Sequence, residues 1–217
     1  MNIKEELFNK QSSNLSFPLG DRGCIAIIKY KAGNVQSVQN ALHRLGVNSI
    51  VTDDAKIIQS ASKVIFPGVG NAAAAMQDII DKKLDNVIPN LTQPVLGICV
   101  GMQLLCNYSE EGNTKCLGVF DTDVKLFKSP QLKIPQIGWN NIFENQSLLF
   151  NTITNDAYVY YVHSYYAAVC NDTISKTNYT LNYSAALQKN NFYAVQFHPE
   201  KSGKVGETIL KNFVQLT

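Results

Sequence analysis

Residues 94–105 constrain the fold of this chain most strongly, because they combine a buried strand, a tight turn and the start of a helix. An apolar run follows a proline, and further apolar residues continue in a pattern typical of a helix. Cys99 lies between the two runs, and Gly97 and Gly101 flank it at the G-x-C-x-G spacing of a nucleophile elbow. A thiol there would lie at a helix N-terminus, which favours the thiolate. The stretch therefore predicts a reactive cysteine, and the alternative is a small buried core residue.

A second motif, at residues 192–203, offers a base for that thiol. Alternating apolar residues predict a strand that ends at His198, and the proline after it favours an extended backbone there. The side chains of His198 and Glu200 therefore tend to share a face, as an imidazole and the carboxylate that orients it. Of the three histidines, His43 lies in an amphipathic helical pattern and is best interpreted as solvated. Cys99, His198 and Glu200 thus form a candidate catalytic triad.

The composition excludes several functional classes. A net charge of +2 with scattered lysines gives no electrostatic reason to bind nucleic acid or a membrane surface. Five cysteines without metal-ligand spacing argue against a disulfide framework and indicate a reducing compartment. No apolar stretch reaches transmembrane length, and residues 1–22 lack the apolar core of a signal peptide. We expect a cytoplasmic protein whose residues 1–22 are a flexible extension.

The first half of the chain alternates strands with helices. Three apolar runs predict strands, at 24–28, 47–52 and 63–66. Between the first two, apolar residues lie on one face of a helix that Asn34 can cap and Gly46 ends. This alternation implies right-handed crossovers and a mostly parallel sheet.

The loop at residues 67–70, Pro-Gly-Val-Gly, follows the third of these strands. Its glycines allow backbone N–H groups to point into a cleft, as an oxyanion hole requires. An ordinary strand–helix turn also uses Pro and Gly. Beside a cysteine elbow, we favour the oxyanion hole.

The second half loses this alternation. Five apolar runs predict strands that would add antiparallel pairs, at 117–120, 124–127, 157–162, 184–187 and 192–197. A turn at 189–191 joins the last two runs, and an amphipathic helix at 203–216 closes the chain.

The motifs G-I-C-V-G-M-Q and Q-F-H-P-E resemble those of the class I glutamine amidotransferases. Further stretches resemble the glutaminase subunits of imidazole glycerol phosphate synthase, a branch of that family. These stretches are A-G-N-V-Q-S-V at 32–38, P-G-V-G at 67–70, S-E-E-G at 109–112, P-Q-I-G-W-N at 135–140, V-H-S-Y at 162–165 and H-P-E-K-S-G at 198–203. The resemblance covers nearly everything from residue 24 onwards.

The resemblance implies a role for each matching residue. Cys99, His198 and Glu200 would hydrolyse glutamine to glutamate and ammonia without a metal or organic cofactor. The oxyanion and substrate-binding residues would be Gly68, Val69, Gly70, Val100, Gln103, Glu111, Ser164 and Tyr165. The residues at the partner interface would be Asn34, Trp139, Tyr160, His163 and Lys201.

The resemblance also implies an architecture and a partner. The fold would be a single α/β domain at 23–217, flavodoxin-like, with an open, mostly parallel sheet, flanking helices and additional antiparallel strands in the C-terminal half. The partner would be a (β/α)8 synthase (cyclase) subunit in a heterodimer, which uses the ammonia to make imidazole glycerol phosphate and an aminoimidazole carboxamide ribotide. Many amidotransferases have consecutive glycines where Val69 stands. We therefore expect the isolated chain to be nearly inactive, with its oxyanion donors misaligned until the partner engages.

Two alternatives stay open at this point. One is a paralogous amidotransferase that supplies ammonia to a sugar-modifying enzyme of surface polysaccharide synthesis. The other is a catalytically silent α/β binding module in which Cys99 is merely packed. Gene neighbourhood would separate the first, and labelling of Cys99 by a glutamine-like electrophile would exclude the second.

Overall fold

The computed structural model describes residues 23–31 and 34–216. The predicted N-terminal extension at 1–22 lies outside the described residues, so its boundary stays a prediction. The helices of the described residues are α1 (Val35–Arg44), α2 (Ala55–Ser60), α3 (Ala72–Asp81), α4 (Val100–Leu104) and α5 (Gly203–Gln215), with 3-10 turns at Ile88–Asn90, Leu148–Phe150 and Pro199–Lys201. The strands are β1 (Ile25–Ile28), β2 (Ser49–Thr52), β3 (Lys63–Phe66), β4 (Val95–Ile98), β5 (Tyr108–Ser109), β6 (Thr114–Lys115), β7 (Asp123–Leu126), β8 (Gln136–Ile142), β9 (Ala157–His163), β10 (Tyr165–Ala167), β11 (Thr173–Asn178), β12 (Asn182–Lys189) and β13 (Phe192–Val195).

The central sheet has seven strands in the order β11-β12-β13-β4-β3-β1-β2. The five strands from β13 to β2 run parallel, and β12 and β11 add an antiparallel edge. The inner strands β1, β3 and β4 are apolar and buried except for Lys63 at the start of β3, as expected for a sheet with helices on both faces. The predicted mostly parallel sheet is confirmed.

The register of the central strands places the sequence motifs together. Phe66 pairs with Gly97 on one side of β4, and Val195 pairs with Ile98 on the other. The carboxyl ends of β3, β4 and β13 therefore meet at one edge, which is where ligands bind in open α/β sheets. The Pro-Gly-Val-Gly loop, Cys99 and the segment leading to His198 begin at that edge.

The predicted helices form, but not every helix N-terminus is capped by a side-chain hydrogen bond. Asn71 caps α3 by accepting a hydrogen bond from the Ala74 N–H at 3.1 Å, and Asp54 caps α2 in the same way. Asn34 occupies the N-cap position of α1, as predicted, but its side chain makes no capping hydrogen bond.

The strand predicted at 117–120 is wrong. This segment wraps around the end of α4, where Leu117 donates its N–H to the Leu104 carbonyl and both Val119 and Phe120 donate to that of Leu105. These carbonyls have no partner within so short a helix. The N–H groups that bond to these carbonyls are not available to pair with a strand. The apolar pattern of the sequence is the same whether the segment forms a strand or caps the helix.

The other predicted strands of the second half are confirmed as β7, β9, β12 and β13. They belong to three sheets, because β10-β7-β5-β6 form a separate four-stranded sheet and β8-β9 form a two-stranded ribbon. Residues 136–142 and 173–178 are strands that the sequence did not predict. Their polar residues and glycine hide the alternation typical of half-buried strands.

Candidate active site

The turn around Cys99 is so tight that there is little room for side chains at the glycines on either side of it. Cys99 has φ 53° and ψ −111°, a backbone conformation that residues other than glycine rarely adopt. A Cβ on Gly101 would lie 1.9 Å from the carbonyl oxygen of Phe66, and one on Gly97 would lie 2.8 Å from Leu105 Cδ1. Gly101 is therefore required, whereas a side chain at Gly97 would need the flexible Leu105 side chain to shift. The thiol is held at the turn between β4 and α4.

The His198–Glu200 pair lies buried beside this elbow. His198 Nδ1 donates to Glu200 Oε1 at 2.9 Å, since a carboxylate can only accept, and both side chains are at most 3% exposed. The backbone N–H of His198 donates to the Tyr160 carbonyl at 2.9 Å, and the His198 carbonyl accepts from Ser202 Oγ at 2.7 Å. Hydrogen bonds to the ring and to the backbone of His198 thus fix the position of the imidazole.

The charge state of His198 follows from its two neighbours. Burial lowers the pKa of His198, but the hydrogen bonds and charge interactions with Cys99 and Glu200 outweigh burial and raise this pKa to about 10. The ring is therefore protonated at neutral pH. A protonated imidazole next to a thiol is the arrangement found in cysteine nucleophiles.

A cavity of about 280 Å³ opens over Cys99. Most of the predicted site residues line it. They are Val69, Gly70, Cys99, Val100, Gln103, Glu111, His163, Ser164, Tyr165, His198 and Lys201, together with Pro135 and Val162. Gly68 lies behind this lining, where a Cβ would come within 2.6 Å of the Gly101 backbone nitrogen and 2.7 Å of Val100 Cβ.

The Pro-Gly-Val-Gly loop forms one wall of the cavity. Val69 is 36% exposed and Gly70 has φ +95°, a region that favours glycine. No acceptor for the N–H groups of Val69 and Gly70 lies among the described residues. The start of the loop is anchored, because the Tyr30 hydroxyl donates to the Pro67 carbonyl at 2.5 Å.

Glu111 connects this loop to the cavity. Its Oε2 accepts from the backbone N–H of Ala72 at 2.7 Å, at the first residue of α3 directly after the loop. A carboxylate at a helix N-terminus is electrostatically favourable. The same side chain lines the cavity, so its position agrees with the expected contact to a substrate amine, which stays a prediction.

His163 is a buried neutral histidine. Its Nδ1 donates to the Tyr165 carbonyl at 2.7 Å, and its Nε2 lies 3.3 Å from the Tyr183 hydroxyl. Burial lowers the pKa of His163 to about 4, against a smaller raising effect of the Tyr165 carbonyl. His163 therefore shapes the cavity without charge at neutral pH, and its predicted place at a partner interface stays a prediction.

The outer face of the β8–β9 ribbon exposes apolar side chains next to the cavity. Trp139 is 55% exposed and packs edge-on against Tyr160 at 5.8 Å, and Ile137 is 62% exposed opposite Val162. A contiguous apolar surface of this kind is typical of a protein interface. The sequence motif included Ile137 but did not single it out, because the ribbon itself was not predicted.

Gln196 is a site residue that the sequence motifs did not single out. It is fully buried, and its amide nitrogen lies 3.7 Å from Cys99 Sγ. The signal was present in the motif, since residues two apart on an extended segment share a face and Gln196 precedes His198 by two.

Two kinds of feature are absent from residues 23–31 and 34–216. No cluster of His, Cys, Asp or Glu there could hold a metal ion. No helix in the same residues is long and apolar enough to cross a membrane.

Comparison with known proteins supports the interpretation of these motifs. The family pattern described as "Glutamine amidotransferase class-I" matches residues 26–216. The chain is 54% identical over 194 residues to the imidazole glycerol phosphate synthase subunit HisH of Bacteroides fragilis, which covers 88% of this chain and 99% of that protein. It is 46% identical over 192 residues to the HisH protein of the same name from Pasteurella multocida, at 88% and 97% coverage.

Solved structures support the fold. A putative GMP synthase protein from Thermoplasma acidophilum superimposes with a TM-score of 0.68 at 19% identity, covering 90% of this chain and 94% of that one. The PurLQS structure from Thermotoga maritima gives a TM-score of 0.66 at 16% identity, with 89% and 98% coverage.

Proposed function

The chain belongs to the class-I glutamine amidotransferase family, and from this membership we propose that it hydrolyses glutamine for an imidazole glycerol phosphate synthase in histidine biosynthesis. The single observation that carries the chemistry is the elbow thiol of Cys99 beside the buried, hydrogen-bonded His198–Glu200 pair. The identity to HisH subunits of 54% over 194 residues supports the pathway.

The reaction proceeds in two steps at Cys99. The thiolate attacks the side-chain amide carbon of glutamine, and protonated His198 gives its Nε2 proton to the departing nitrogen, so that ammonia leaves and a thioester forms. Neutral His198 then takes a proton from water, and the hydroxide formed displaces the thiolate to release glutamate. Glu200 accepts the hydrogen bond from the Nδ1–H of His198 throughout and so keeps Nε2 directed to the reacting atoms.

The negative oxygen of each tetrahedral intermediate needs N–H donors. The loop of Gly68, Val69 and Gly70 supplies them, with Val100 at the start of α4 as a further backbone donor. Val69 restricts the loop because a β-branched side chain limits backbone conformations. We expect the loop to align fully only when the partner binds.

The rest of the cavity recognises the amino-acid end of glutamine. Glu111 offers a carboxylate to the α-ammonium group, and Gln103, Ser164 and Tyr165 surround the remaining polar atoms. Charge-assisted hydrogen bonds of this kind are stronger than neutral ones, which suits a zwitterionic substrate.

The partner is a (β/α)8 synthase subunit, bound as a heterodimer. The apolar face of the β8–β9 ribbon supports this proposal, with Trp139 and Tyr160 at its centre and Lys201 at the mouth of the cavity. Docking there would enclose the exit of the cavity. Ammonia would then reach the second site before water protonates it.

Replacing His198 tests the proposal, with the exposed His43 as matched control. The His198→Asn chain, in complex with the synthase subunit, should lose glutamine-dependent synthesis and keep synthesis from added ammonium salt, because only the first site needs the imidazole. His43→Asn should keep both activities. Equal loss of both activities in His198→Asn would refute the division of labour.

A further inference from the structure

Gln196 lies directly against the nucleophile, and the mechanism above does not use it. The side chain is fully buried, with Nε2 at 3.7 Å from Cys99 Sγ. Its Oε1 accepts a hydrogen bond from Gln103 Nε2 at 3.0 Å. Two amide side chains therefore stand in series behind the thiol.

A main-chain carbonyl fixes the orientation of both amides. Gln103 Nε2 also donates to the carbonyl oxygen of Tyr165 at 2.9 Å. A carbonyl can only accept, so Gln103 must direct its nitrogen towards Tyr165, and both of its N–H groups are then engaged. Gln196 must present its oxygen to Gln103, and its nitrogen consequently faces the sulfur.

Besides His198, two protein groups contact the sulfur, and they have opposite preferences. The Val162 carbonyl oxygen, 3.9 Å from Cys99 Sγ, can accept from a thiol but repels a thiolate. The Gln196 N–H can only donate and favours the anion, because a hydrogen bond to the charged form stabilises it. The titratable groups around Cys99 are His198, His163, Glu111, Tyr165 and Lys201 in the cavity and the buried Tyr30 behind it.

We infer that Gln196 is a catalytic residue that donates an N–H to the Cys99 sulfur and stabilises the thiolate, with Gln103 as the positioning residue that orients its amide. The inference rests on the proposed function, because it concerns the nucleophile of that reaction. It adds a neutral donor to the charged His198 as a source of thiolate stabilisation. This donor stays in place while His198 loses and regains its proton.

The test is the pH–rate profile for alkylation of Cys99 by iodoacetamide in the full chain, which needs neither glutamine nor the partner. Peptide mass spectrometry separates Cys99 from the other four cysteines. Gln196→Met keeps the volume but removes the donor. Its profile midpoint should move up by about one to two pH units, which corresponds to an alkylation rate about ten- to hundredfold lower below the midpoint.

Two more variants separate this effect from a loss of packing. Gln103→Leu removes the orienting amide and should also raise the midpoint, but by less, because Gln196 can still donate in part of the population. Gln93→Met is the control, since Gln93 donates to the Ile58 carbonyl at the other end of β4 and its midpoint should not move. If Gln196→Met does not fold, Gln103→Leu carries the same test.

An unmoved midpoint in the folded Gln196 or Gln103 variant overturns the inference, and so does an equal shift in Gln93→Met. Failure of the proposed function is a different result. In that case the unmodified chain with its synthase subunit releases no glutamate from glutamine, whatever the alkylation profile shows.

Discussion

The two walls of the cavity differ in how completely they are built. On the triad side, the His198 and Glu200 side chains are buried, and His198 is hydrogen-bonded through its ring and its backbone, although Glu200 Oε2 has no hydrogen-bond partner among the described residues. On the loop side, Val69 is partly exposed, and its N–H has no acceptor among the described residues. The groups around the thiol are therefore hydrogen-bonded in the isolated chain, whereas the loop N–H groups that we propose as oxyanion donors are not. This difference suggests that control of turnover resides in the loop.

The largest effect is expected from removing the nucleophile. Cys99→Ala should abolish glutamine hydrolysis in the complex, because no other nucleophilic side chain occupies the elbow, and alanine fits the space. Partner binding and thermal stability should be close to those of the unmodified chain. Cys106→Ala is a matched control for loss of a buried thiol and should retain hydrolysis. Measurable turnover by a clean Cys99→Ala preparation would show that Cys99 is not the nucleophile and that the triad side does not carry the reaction.

A smaller effect is expected on the loop side. Val69→Gly frees the backbone of the loop and should raise hydrolysis by the isolated chain, by at most the hundred- to thousandfold associated with one oxyanion donor. Val69→Ala removes the side-chain bulk but keeps a Cβ, so its rate should rise less. Steady-state glutamate release without the partner measures both. An equal rise in the two variants would mean that side-chain bulk, not backbone freedom, restrains the site.

The smallest effect concerns the pH dependence of stability, where the two buried histidines act in opposite directions. The pKa of His163 is about 4 in the folded chain, below the value near 6.5 expected when unfolded. The unfolded chain therefore takes up a proton first as pH falls. The free energy of unfolding should drop between about pH 6.5 and pH 4, by at most about 1.4 kcal/mol per pH unit.

His198 acts on the alkaline side. Its folded-state pKa of about 10 lies above the unfolded value, so its stabilisation is full below about pH 6.5 and is lost as pH rises towards 10. Urea unfolding across this range measures both limbs. His163→Gln should flatten the acid limb and His198→Asn the alkaline limb. Identical profiles for the two variants would contradict the assigned charge states.

The sequence singled out the elbow and the His198–Glu200 pair but not Gln196, for physical reasons. Gly101 is required by its contact with the backbone of the neighbouring strand, and Gly97 is crowded by residues of the elbow and α4, and such constraints leave a motif in the sequence. Gln196 was missed because its role depends on Gln103 and on the Tyr165 carbonyl, which come from distant parts of the chain. Its position two residues before His198 was the only local signal.

The fold shows the same limit. The strands of the parallel sheet are mostly apolar and were predicted, whereas β8 and β11 contain several polar residues and were not. Residues 117–120 look apolar and extended but satisfy the carbonyls at the end of α4. Periodicity records burial and does not show which hydrogen bonds a segment makes.

The most direct test of the central claim is the rate of glutamine hydrolysis by the unmodified chain, first alone and then in complex with the ribotide-loaded synthase subunit. If the triad is in place but the loop N–H groups are not aligned with the oxyanion, the chain alone should hydrolyse glutamine slowly. The same arrangement also predicts an increase of roughly a hundred- to thousandfold in the loaded complex, as expected for the gain of one oxyanion donor. The same rate in both conditions would contradict the claim that the loop controls turnover.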